Sequence, residues 1–343
     1  LNSNNPPEIF EIHKSWTPMF SKQIYPLPKT IMTTDQFKKE FYSVISDDLV
    51  RSEGLMAMPL YYDGIALYIN QEILTRAAAS PPETWMEFEE LATKFNQKGR
   101  NNLLVQTGVP MGYSQNVDYW QEVVALLMYQ NGADLVQPEG ERAKAAINFY
   151  SSFRNKGVWD TRLPSSTDFF AQGSAAMYFG PTNEASYIIN QNPGLRFRTV
   201  LLPQIPKGDP DDPDFSYSTY YAHSVSAGSG DRDSAWKLLK YLTEREQLIQ
   251  LNANREEKGL YPRIYPRSSM ANLQNADPIL GSVVALIPQS HSWYLNDDQI
   301  EGNTSLTDQV SEAYSGTVFG DRSLKGLSRT LKDVLSKYGI RVN

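Results

Sequence analysis

The chain has 343 residues, 41% of them hydrophobic, which is enough for two lobes or domains rather than one simple core. Its formal net charge of -7 gives no basic footprint for nucleic acid, and no Lys/Arg cluster marks a membrane surface. With no cysteine it can form no disulfide, thiolate metal site or cysteine nucleophile, and His13, His223 and His291 are too scattered for a zinc-enzyme spacing.

In chain order, "PPEIFEI" (6–12) predicts a short strand after a Pro pair, and "HKSWTPMF" a turn into a helix. "TTDQFKKEFYSVI" (33–45) predicts one amphipathic helix with Phe37, Phe41 and Ile45 on its inner stripe and Thr34 as cap. "LMAMPLYYDGIALYIN" is an apolar run interrupted at Pro59 and Gly64, so it predicts two strand segments with a crossing between them. "NQEILTRAAA" predicts a helix, and "SPPETWMEFEELATKFNQK" another, with Thr84 and Glu87 as a capping box and Met86, Leu91 and Phe95 inward. "NLLVQTGVP" follows as a strand, then helices over "VDYWQEVVALLMYQNGAD", stopping at Gly132, and "ERAKAAINFYSSFRNKGV", stopping at Gly157.

"STDFFAQGSAAMYFGPTNEASYIINQ" predicts helix, turn at Gly173, strand and helix, and "FRTVLLPQIP" a strand entering a Pro-rich loop. The acidic "GDPDDPDFSYS" reads as a surface excursion without the glycine spacing of a calcium loop. "TYYAHSVSAGS" predicts a strand, and "DRDSAWKLLKYLTEREQLIQLNAN" a helix capped by Ser234 with Ala235, Leu238, Leu239 and Leu242 as its stripe. "GLYPRIYPR" is a Pro-punctuated crossing, and the remainder is helical apart from "IPQSHSWYLN". Alternating strands and helices argue for an α/β architecture with largely parallel sheets. No apolar run reaches the ~18 residues that span a bilayer. The opening "LNSNNPPEIF" is no signal peptide and reads as the interior of a longer precursor.

Aromatic residues make up 12% of the chain, with 20 Tyr and 6 Trp, many beside Gly, Pro, Asn or Ser. Flat rings with a polar edge suit a binding surface, since they offer area at low entropy cost.

Four segments occur in order in a pattern that resembles the bacterial extracellular solute-binding proteins of the sugar-binding family: "MPLYYDGIALYINQEIL" with "SPPETWMEFEELATKF", "FAQGSAAMYFGP", "SVSAGSGDRDSAWKLLKYLTEREQ", and the early "NPPEIFEI". The resemblance runs from about residue 6 to the end, and departs from the family's pattern in lacking a strand, a helix and a second strand ahead of "PPEIF". It implies a periplasmic-binding-protein-like type II fold: residues 1–62 plus 222–264 in one lobe, incomplete at its N-terminus, and 65–219 plus 266–343 in the other. Hinges are expected near 61–64, 218–224 and 262–267. It further implies a carbohydrate ligand held in the cleft, no covalent chemistry, no cofactor, delivery to the permease subunits of an ABC importer, and an extracytoplasmic monomer, either periplasmic or a cell-surface lipoprotein anchored through a residue outside this chain.

The same resemblance places an acidic ligand contact at Asp63 and a sugar-stacking ring at Trp293, within "IPQSHSWY". A hinge carboxylate can accept two sugar hydroxyls, and an indole face matches the C–H face of a pyranose. Weaker candidates are Tyr62 beside Asp63, His13 and Trp16 after the first strand, Tyr119 and Trp120 at a helix start, and Gly180 and Asn183 after "AAMYF". Tyr220 and Tyr221 at the second crossing and Arg263 at the third complete the set. Trp85 and Trp236 are assigned to packing. Two other readings are a ferric-ion receptor of the same fold using Tyr220 and Tyr221 with His13 or Asp63, and a glycosidase with paired carboxylates.

Overall fold

The computed structural model describes residues 6–206, 213–297 and 305–341. Its central sheet has three strands in the order Met177–Pro181, Ile65–Asn70, Phe197–Val200. Ile65–Asn70 is buried at every position. That is why "IALYIN" is a continuous apolar run and not an alternating one: helices cover both faces of the strand. Gln71–Arg76 and Gly281–Leu286 both pack on it, and Ser166–Ala171 packs on Met177–Pro181.

A second, two-stranded sheet pairs Ile9–His13 with Tyr221–Val225. The helix Arg232–Leu242 covers it with Ala235, Trp236 and Leu239, and the Trp236 indole donates to the carbonyl of Tyr25. Two C-terminal helices, Leu306–Val318 and Leu324–Lys337, pack on each other, and the first also touches Glu141–Ser152 and the 3-10 turn Lys14–Trp16.

The three segments expected as crossings lie side by side. Tyr62 bridges Ile264, Gly64 bridges Ser218, and Met58 bridges His223. At Gly64 the backbones approach so closely that a Cβ would stand 2.9 Å from the carbonyl oxygen of Tyr217.

Several expectations are corrected. The sheets are not largely parallel: among the described residues every ladder is antiparallel except Ser290–His291 with Ser216–Tyr217. Helices do alternate with the strands, but the chain returns in the opposite sense before it pairs. The predicted helix over 33–45 is two helices, Thr34–Glu40 and Ser43–Leu49, because Phe41 turns extended to bridge Arg267. Its cap is Thr33, in a reciprocal box with Gln36, and the cap of the later helix is Asp231, which accepts from the N–H of Ser234. Met86 and Leu238 face solvent. Trp85 and Trp236 are buried. Of the acidic excursion, residues 207–212 lie outside the described residues.

Candidate ligand cleft

Where the crossings meet, a cavity of about 150 Å³ opens. Its walls come from the end of Ile9–His13 (His13), the first crossing (Tyr61, Asp63), the entry to Trp120–Gln130 (Tyr119), the end of Met177–Pro181 (Pro181, Asn183), the second crossing (Thr219, Tyr220, Tyr221) and Asp297. Parts of the chain far apart in sequence converge there because the strands end at this level and the crossings run between them.

Asp63 is 3% exposed. Its Oδ1 accepts from the N–H of Gly64 and from the N–H and hydroxyl of Thr182, each at 2.8 Å, and its Oδ2 accepts from the N–H of Asn183 at 2.9 Å. The carboxylate thereby ties the first crossing to the turn that opens the helix Glu184–Gln191. Burial raises its pKa to about 6, against the opposing pull of the hydrogen bonds from Thr182, Gly64 and Asn183. One acceptor direction on Oδ2 remains beyond the Asn183 bond.

Tyr119 caps the helix Trp120–Gln130 in the left-handed region, with φ 60° and ψ 21°. This aims its ring into the cleft, and its hydroxyl donates to Glu184 Oε1 at 2.5 Å. Burial, with Asp118, Asp63 and Asp297 nearby, raises the Glu184 pKa. Asp297 is held by its own N–H, which donates to Glu122 Oε1 at 2.7 Å, and by Gln121 Nε2 on Oδ1 at 3.4 Å. His13 bonds Ser15 Oγ through Nδ1 at 2.7 Å and Thr219 Oγ1 through Nε2 at 3.2 Å, and stands edge-on to Tyr221 at 5.0 Å.

The cavity therefore brings together His13, Asp63, Tyr119, Asn183, Tyr220 and Tyr221. The other candidates stand elsewhere. Tyr62 is 1% exposed, packed between Tyr42 and Tyr220, with its hydroxyl donating to Ser290 Oγ. Trp120 is buried edge-on to Phe319. Gly180 sits opposite Ala66 in the central sheet, where a Cβ would collide with the Tyr178 ring and hydroxyl, so it serves packing. Trp16 lies behind Tyr221, at 5.9 Å. Arg263 stacks on the face of Tyr61 at 3.9 Å, outside the cavity.

Trp293 lines a second cavity, of about 190 Å³, with Lys14, Ser15, Asp48, Arg51 and Ser290–Tyr294 among its walls. Its carbonyl accepts from Lys14 Nζ at 2.7 Å and its N–H donates to the Tyr217 hydroxyl at 3.0 Å. These backbone bonds fix Trp293 apart from Asp63. Tyr220 and Tyr221 do not present paired hydroxyls to a metal, since Tyr220 donates to Asp48 Oδ2 at 3.0 Å. Among the described residues no group of His, Asp and Glu forms a metal-binding cluster.

Sequence reasoning missed Tyr61, Thr219 and Asp297. Tyr61 and Thr219 adjoin residues that were singled out, so widening each crossing by one position finds them. Asp297 carries no local signal, because its place depends on Glu122 more than a hundred residues away in the chain.

Residues 1–255 match the family described as bacterial extracellular solute-binding protein. The chain is 22% identical over 252 residues to the maltotriose-binding protein of Pyrococcus abyssi, an alignment covering 71% of this chain; it spans about half (52%) of that curated relative. Among solved structures, it resembles a solute-binding protein of an ABC transporter from Thermotoga lettingae bound with α-D-tagatose, with a TM-score of 0.73 at 17% identity over 98% of this chain and 86% of that one. It also resembles the Thermus thermophilus maltotriose-binding protein bound with maltotriose, with a TM-score of 0.69 at 17% identity over 96% and 85%. Such likeness shows the shared two-lobe α/β fold, and with the family match over most of its length it leads to one conclusion: this chain belongs to the bacterial extracellular solute-binding proteins.

Proposed function

We propose that the chain binds a carbohydrate in the cleft at the crossings, without covalent chemistry, and hands it to an ABC importer outside the cytoplasm. The observation that carries this reading is the composition of the cavity: the rings of Tyr61, Tyr119 and Tyr221 stand beside the acceptors Asp63 and Asp297. Ring faces suit the C–H face of a sugar, and carboxylates accept its hydroxyls through charge-assisted bonds. That family relatives bind maltotriose and tagatose supports it. Residues 6–62 with 222–264, and 65–219 with 266–341, act as two lobes that close on the ligand about the adjacent crossings, because a ligand touching both favours the closed state.

Calorimetry and thermal shift against neutral sugars test this. Saturable heat and a rise in stability of about 2.7 kcal/mol at a hundredfold excess over Kd are expected. A panel that gives neither heat nor shift removes the carbohydrate reading.

A further inference from the structure

We propose that the cleft prefers an amino sugar, one carrying a free and protonated amine, to the neutral sugar of the same shape, and that Asp63, Asp297 and Asn183 read the amine. The proposal rests on the carbohydrate reading above and narrows it to a ligand class. It follows from which hydrogen-bonding groups of the cavity wall are engaged within the protein and which are open to a ligand.

The wall's ring-borne donors are engaged. The Tyr61 hydroxyl donates to Glu11 Oε1 at 3.0 Å, that of Tyr119 to Glu184 Oε1 at 2.5 Å, and that of Tyr220 to Asp48 Oδ2 at 3.0 Å. Both ring nitrogens of His13 are taken, by Ser15 and by Thr219. Acceptors are open by contrast. Asp63 Oδ2 holds one bond, from the N–H of Asn183, and Asn183 Oδ1 is buried with no hydrogen-bond partner although its residue lines the same cavity. A buried acceptor left unmet is costly, and a ligand donor removes the cost. The nitrogen of the same Asn183 amide can still donate to one ligand oxygen. A sugar hydroxyl brings one donor and two acceptor lone pairs, whereas an ammonium brings three donors and no acceptor. A wall with open acceptors and few open donors therefore fits the ammonium better than the hydroxyl it replaces.

Charge points the same way. Asp63 and Asp297 both line the cavity, and no Lys or Arg is among the described lining residues. Glu184 stands behind Tyr119, where burial and then Asp118, Asp63 and Asp297 raise its pKa. These like charges are close enough to oppose one another's ionisation, and a cation among them relieves that opposition. The protein's own cations stay away from the cavity. Lys14 turns its Nζ to the Trp293 carbonyl, at the second cavity, and Arg263 keeps to a face of Tyr61 outside the first. The rings of Tyr119 and Tyr221 complete the fit, since the face of a tyrosine attracts a cation. The preference concerns charge and donor count, and leaves the length of the sugar unrestricted.

Calorimetry on the full chain at pH 7 tests the preference. Glucosamine, galactosamine and mannosamine are set against glucose, galactose and mannose and against their own N-acetylated forms, which keep the nitrogen but lose its charge. The β-1,4-linked glucosamine trimer against its N-acetylated counterpart, and maltotriose, separate length from charge. The tightest amine should bind at least about 10-fold more tightly in Kd than its neutral and N-acetylated counterparts. A neutral or N-acetylated sugar that binds as tightly as every amine in the panel overturns the preference and leaves the carbohydrate reading intact; a panel in which no sugar of any kind binds overturns both. Asp297→Asn and Asp63→Asn each keep an oxygen acceptor and remove a charge, so each should bring the amine within about 3-fold of the neutral sugar. A merely structural loss weakens both sugars alike and leaves their ratio unchanged. If both variants, shown to be folded by circular dichroism, keep the parent's ratio, the carboxylates do not read the amine and the proposal fails.

Discussion

Asp63 stands where a carboxylate is costly: nearly out of water, with four hydrogen bonds that lower its pKa less than burial raises it. The sign of its effect on stability follows. Its pKa rises from 3.8 unfolded to about 6 folded, so the native state binds the proton more tightly. Stability from this group is fully present below about pH 4 and is lost as pH rises through about 6, a change of roughly 3 kcal/mol. Urea denaturation from pH 4 to 7 should therefore show a decline that Asp63→Asn flattens. Equal pH slopes in parent and variant would contradict the assignment. At this scale the sequence was informative where residue type and chain context coincide. An acid beside a glycine at a crossing pointed to Asp63, and adjacent tyrosines at another pointed to Tyr220 and Tyr221; all three reach the cavity. The same reasoning chose Tyr62 over Tyr61, because neighbours on an extended segment point to opposite sides and nothing local says which side is the cleft.

At the scale of the element, the entry to Trp120–Gln130 carries the cleft's one backbone cost. A residue with a Cβ held left-handed is disfavoured by roughly 1–2 kcal/mol, and Tyr119 is so held with no side-chain cap. Replacing it separates backbone from ring. Tyr119→Ala and Tyr119→Gly lose the same ring and the same bond to Glu184, but only glycine relieves the strain. The glycine variant should be the more stable of the two by about 1 kcal/mol in urea denaturation. Equal stability, or alanine ahead, would mean that the local geometry relaxes once the ring is gone. Helix starts were legible where one residue satisfied every requirement: Thr84 and Glu87 form the reciprocal box their spacing predicts. They were misplaced by one to three positions where two capping types compete, as Thr33 with Thr34 and Asp231 with Ser234, because the choice falls to whichever residue leaves the helical backbone. The break at Phe41 was illegible: the apolar spacing continues through it, and its partner, Arg267, lies far along the chain.

For the whole molecule, ordered motifs conveyed the two-lobe class, while strand direction was lost, since an apolar run buried on both faces reads alike in parallel and antiparallel pairing. Charge, which composition does convey, has a consequence for the ligand. The chain carries a formal -7, and its cavity is lined by Asp63 and Asp297, with Glu184 bonded to Tyr119 behind them. Among the described lining residues there is no Lys or Arg. A ligand carboxylate about 5 Å from one of these acids meets a repulsion of about 3 kcal/mol at an effective dielectric of about 20. Acid sugars should therefore be refused where their neutral counterparts bind: glucuronate and galacturonate at least about 100-fold weaker in Kd than glucose and galactose. Raising salt should recover little, because a cavity excludes the ions that screen exposed charges over about 8 Å at physiological strength. Lowering the pH from 7 to 5 should narrow the gap, since Asp63 takes up its proton across that interval. Calorimetry at the two pH values decides the matter: uronates that bind as tightly as the neutral hexoses at pH 7 would mean that the cleft presents a cation to its ligand, and that its carboxylates do not govern what enters.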